Sequence, residues 1–110
     1  MARRATAALG GEGPLLLADL VLAECVYVLE SFYEVERVRV AELMRAAIAL
    51  PSIRVVDEPL LLRALELYEL AGLDFADAYL VASAEVTGVE AVMSFDRGMD
   101  RVRTVARVEP

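Results

Sequence analysis

The sequence predicts a single helix-rich α/β domain in which parallel strands are joined by helices. Three observations carry this. The chain has 110 residues, the size of one domain. Short β-branched or apolar runs alternate with longer segments of helical period. The segments between the short runs are too long for hairpins, so the strands are expected to lie parallel with helical crossovers. No repeat or low-complexity segment interrupts the pattern.

The elements follow in order. Residues 2–9 are strong helix formers, ended by Gly10 and Gly11. Pro14 opens a short apolar run, 15–17, read as the first strand. Asp19 is expected to cap a helix running to about Tyr33. That helix is apolar almost all round, which predicts burial, and Glu24 is its one interior charge. Residues 36–50 read as an amphipathic helix with Val40, Leu43, Met44 and Ala47 inside, stopped by Pro51. The β-branched run 53–56 is a half-buried or edge strand. Asp57-Glu58-Pro59 opens a helix to Ala71, with Pro in the first turn and Gly72 just past the end. A helix from about 75 to 87 follows, closed by Gly88. Residues 91–93 are a short strand, 95–100 a loop or single turn, and the last strand falls within 102–108.

Composition narrows the functional classes. Hydrophobic residues make up 58% of the chain, more than a domain this small hides easily, so a homodimer or a hydrophobic partner is expected. No apolar run approaches the roughly 18 residues of a membrane span. The N-terminal residues do not resemble a secretory signal, so a cytoplasmic location is the expectation. Histidine is absent, which excludes His-based triads and His-rich zinc sites. The single Cys25 reads as a buried inert thiol. The formal charge of −7 argues against tight non-specific nucleic-acid binding, although all 11 basic residues are Arg, the better phosphate ligand.

The carboxylates carry the functional signal. Asp74 and Asp77 are three apart after Gly72, a spacing that puts them a turn apart on one helical face. Asp74 reads equally as an N-cap, with Asp77 near N3 and favoured by the helix dipole. Capping explains Asp77 less well. Its neighbours Ala76, Ala78, Leu80, Val81 and Ala82 look buried, and the nearby chain offers no basic partner, so a second acid or a metal ion is the natural one. Asp96 follows the strand at 91–93, and in parallel α/β folds functional residues gather beyond the carboxyl ends of strands. Glu24 lies a turn into the helix after the first strand. Glu24, Asp77 and Asp96 are therefore expected to converge at one edge of the sheet. Mg2+ accepts such a set of oxygen donors, and a site of that kind activates water and stabilises charge on a phosphodiester. Each acid also has a structural reading: Glu24 as the partner of a buried Arg, Asp96 as the cap of the turn at 97–100. Asp100 reads as a surface residue, and Ser94 as a strand end whose hydroxyl can orient Asp96.

Leu22-Ala-Glu24 in an apolar helix, Asp77-Ala-Tyr-Leu-Val-Ala82 after a Gly-Leu-Asp start, and Val92-Met-Ser-Phe-Asp96 together resemble the PIN-domain nucleases. Within these, the likeness is to the VapC-type toxins of toxin–antitoxin pairs, and it covers nearly the whole chain. The resemblance implies a three-layer α/β fold with a parallel sheet flanked by helices. It also implies Mg2+- or Mn2+-dependent cleavage of RNA, a cognate antitoxin over the site, and a homodimer. It makes Glu24, Asp77 and Asp96 the catalytic, metal-holding acids. Asp74 and Asp100 are second-rank candidates, and Ser94 matches a Ser/Thr that supports the last acid. The family's leading strand, which ends in Asp, has no counterpart in this sequence. The expectation is thus a PIN-like sheet with its first strand missing, and a weak nuclease. The competing expectation is a non-catalytic PIN-like module that dimerises or binds an antitoxin-like partner.

Overall fold

The computed structural model describes residues 13–93, 102 and 104–110. The helix expected over 2–9, and Ser94, Asp96 and Asp100, lie outside the described residues. Within them the chain runs β1 (Leu15–Leu16), α1 (Asp19–Ser31), α2 (Arg37–Ile48), β2 (Ile53–Arg54), α3 (Glu58–Leu70), α4 (Phe75–Thr87), β3 (Ala91–Met93) and β4 (Ala106–Val108). The α/β, helix-rich class expected from the sequence is the one observed, and the strand pairings are parallel. β1 pairs with β2 in the register Leu15↔Ile53, and β3 with β4 in the register Ala91↔Ala106. Among the described residues these are two separate two-stranded ladders.

The helices begin and end where local chemistry directs. Asp57 caps α3, its Oδ1 accepting from the Leu60 N–H at 3.1 Å, and Pro59 occupies the first turn where no donor is needed. Asp74 caps α4 in the same way, accepting from the Asp77 N–H at 3.3 Å. Gly88 ends α4 with φ +74°, the left-handed conformation that suits glycine. The core lies among the helices. α3 packs chiefly on α4 and α2, burying Leu61, Ala64, Leu65 and Tyr68 against Ala78, Val81 and Ala82 of α4 and Val40 and Met44 of α2.

Two expectations about α1 are corrected. It buries only Leu22 and Val26, an i, i+4 stripe, while Leu20, Tyr27 and Phe32 beyond it are 80%, 69% and 78% exposed. An apolar sequence on every side of a helix shows that the helix can be buried; it does not show that its own chain buries it. Asp19 is not the cap of α1 either. Ala18 holds that position without a side-chain bond, and Asp19 stands in the first turn with its Oδ2 accepting from the Tyr79 hydroxyl at 2.5 Å. No described residue's helix is long and apolar enough to cross a membrane.

Candidate functional site

No charged residue is buried among the described residues, so the acids singled out by the sequence are not core carboxylates. Glu24 is exposed. It stands on the crest of α1, bordering a groove of about 400 Å3 that it lines with Val21, Cys25, Val28, Leu29 and Met44. Its i−4 and i+3 neighbours on the helix, Leu20 and Tyr27, line two smaller cavities on the α4 side. Cys25 is half-buried, and free.

Asp74 and Asp77 are together at the start of α4, joined by the capping bond. Asp74 is exposed and Asp77 half-buried. The helical period places Asp77 on the face of Leu80 and Ala84. Those two residues line a depression with Val92 and Met93 of β3. The chain leaves α4 at Gly88 and returns as β3, so β3 runs back along α4 toward its N-terminus. The carboxyl end of β3 therefore points at the turn that carries Asp77. Asp96 is three residues beyond that end, about 10 Å of chain at full extension. Asp74 and Glu24 open on different depressions: Asp74 lines its cavity with Ala23, Tyr27 and Glu30.

Several residues that hold this arrangement carry no signal in the sequence. Tyr68 of α3 is fully buried, and its hydroxyl donates to Glu30 of α1. The Arg37 guanidinium of α2 lies over its ring, 4.2 Å from the centroid, and Phe75 of α4 meets its edge at 6.2 Å. Arg37 also donates to the Tyr68 carbonyl at 2.7 Å and to the Leu73 carbonyl. One arginine thus satisfies the last turn of α3 and the residue before the Asp74 cap, fixing the bend that presents Asp74 and Asp77. Burial first, and then the bond to Glu30, push the Tyr68 phenol above its ordinary range. The bond to Asp19 first, and then burial, push Tyr79 up as well. Farther along, Arg63 of α3 donates in a fork to Glu85 of α4, Nε at 2.8 Å and Nη2 at 3.0 Å, and this lowers the Glu85 carboxyl.

The donor chemistry fits a hard divalent cation. The candidate ligands are all carboxylates, and the chain has no histidine and a single thiol. Among the described residues no three acidic or thiol side chains group to hold a metal ion, and Asp96 lies outside them.

A helix-rich α/β domain with a carboxylate at the carboxyl end of a parallel strand has its ligand-binding position where such folds place it. The chain belongs to the PIN domain family, whose model matches residues 1–105, and that family is of nuclease type. A comparison with curated proteins finds no match.

Proposed function

We propose that the chain is a metal-dependent endoribonuclease, the toxin component of a toxin–antitoxin pair, acting in the cytoplasm. The observation that carries this is the place of Asp77, at the start of α4 and beside the carboxyl end of β3, in a chain of the PIN family. Glu24, Asp77 and Asp96 hold Mg2+ or Mn2+, and Asp74 orients the turn around Asp77 through its cap. When bound, the cation supplies a Lewis acid for the scissile phosphate and a water of lowered pKa. Substrate affinity is modest, because Arg37, Arg39, Arg45, Arg54, Arg63 and Arg107 each already donate to a carbonyl or carboxylate of the chain itself.

The test is cleavage of a labelled RNA with Mn2+ or Mg2+. EDTA, Asp77→Asn and Asp96→Asn are each expected to abolish cleavage. EDTA-sensitive cleavage that Asp77→Asn leaves intact overturns the assignment. The exposed apolar side of α1 favours a second reading, a non-catalytic PIN-like module that dimerises or binds an antitoxin-like partner. Stable association without cleavage under any divalent ion supports that one.

A further inference from the structure

We infer that Tyr79 and Asp19 are positioning residues: their hydrogen bond sets the roll of α4 against α1, and with it the separation of Glu24 and Asp77. The inference rests on the reading of those two acids as ligands of a common cation.

α1 has little apolar packing to hold it. Only Leu22 and Val26 are buried, and the seam with α4 is loose. Cavities of about 190 and 220 Å3 flank Ala23, Phe75 and Ala76 along that seam. Close-packed side chains fix the register of two helices; a seam with voids on both sides leaves it soft. The Tyr79–Asp19 bond, at 2.5 Å, crosses the seam at the N-terminal end of α1. Tyr68 and Glu30 tie the other end of α1 to α3. Glu24 lies between the two tethers, five residues after Asp19 and six before Glu30.

On α4 the geometry is equally direct. Tyr79 stacks on Phe75 at a centroid separation of 6.3 Å, and both face α1, whereas Asp77 lies on the neighbouring face over β3. Rolling α4 about its axis would carry Asp77 away from the end of β3, and the tether resists that roll. The remaining oxygen, Asp19 Oδ1, is buried and has no hydrogen-bond partner in the structure. Tyr79 is thus the one donor that keeps this carboxylate in place, and without it the carboxylate turns toward water.

Two measurements test this on the whole chain. A spin label on the single Cys25 of α1, paired with one on Val86→Cys of α4, reads the α1–α4 distance without any metal. Mn2+ titration reads the site. Tyr79→Phe is expected to broaden the distance distribution and to weaken Mn2+ binding by about 10-fold or more, as loss of an outer hydrogen bond does at metal sites. Asp19→Asn keeps an acceptor for Tyr79 and is expected to retain the narrow distribution. Glu85→Gln, which breaks the Arg63 fork far from the seam, controls for lost stability and should change neither readout. An unchanged distance distribution in Tyr79→Phe overturns the inference, and so does unchanged Mn2+ binding where Asp77→Asn abolishes it. If Asp77→Asn leaves Mn2+ binding intact, the cation-site reading fails instead, and the spin distances alone decide whether the tether positions α4.

Discussion

Tyr68 joins four helices through one side chain, and the consequence is a stability that depends on alkaline pH. Its folded pKa is raised, because ionisation would bury a phenolate beside the Glu30 carboxylate. A raised acid contributes stability that is fully present below the unfolded value, about 10 for tyrosine, and lost as pH climbs past it. Tyr79 adds to the same slope. Denaturant unfolding from pH 8 to 11 should therefore show stability falling above about pH 10, and Tyr68→Phe should flatten that fall. Tyr68→Phe should also cost about 1–2 kcal/mol at neutral pH, since Glu30 loses its donor. An equal alkaline slope in Tyr68→Phe would mean that the phenol titrates as freely folded as unfolded. At the acid end the sign reverses. The lowered Glu85 carboxyl contributes stability that is present above its unfolded range and lost as pH falls through the folded one, so Glu85→Gln should reduce the acid-side loss.

At the scale of elements, the two ends of α4 make separable predictions. Asp74 caps the helix, so Asp74→Ala should cost about 1 kcal/mol, whereas Asp74→Ser keeps an acceptor and most of the stability. Asp77 makes no cap, so the proposed site predicts that Asp77→Asn leaves the thermal midpoint nearly unchanged while removing Mn2+ binding. At the other end, a Cβ on Gly88 meets nothing within 4 Å. Gly88→Ala therefore pays only for its left-handed backbone, about 1–2 kcal/mol, and thermal melts should show that loss without a change in fold. These ends were legible in the sequence because capping is local: Gly72-Leu-Asp74 and Gly88 bound a helix whose observed limits match the expected 75–87. The burial of α1 was misread for the converse reason. The stripe of Leu22 and Val26 is indistinguishable in sequence from the apolar residues around it. The Arg37 and Tyr68 network was not legible at all, since its bonds join residues 31, 36 and 38 positions apart. Of the candidate site, the residue types and the place of Asp77 could be read in advance. The exposure of Glu24 could not, because it follows from which side of α1 the chain leaves open.

The whole molecule carries more apolar surface than its own packing covers, and most of it lies on one element. Leu20, Val21, Tyr27 and Val28 of α1 and the adjoining Phe32 and Tyr33 are all exposed. Burying a large side chain of this kind contributes about 1.5–3 kcal/mol, and several together exceed the lower estimates of what association costs in lost freedom. Self-association at micromolar concentration is the expected outcome, read by sedimentation velocity. Phe32→Glu puts a charge into that surface and should raise the dissociation constant by at least about 10-fold, which is 1.4 kcal/mol. Salt distinguishes the occupants. Two copies of this chain each carry a formal charge of −7, so added salt screens their repulsion and should strengthen a homodimer. A basic antitoxin-like partner is held partly by attraction, and the same salt should weaken that complex. A wild-type monomer at micromolar concentration, unaltered by salt and by Phe32→Glu, removes the homodimer proposal and leaves a heterologous partner as the occupant of α1.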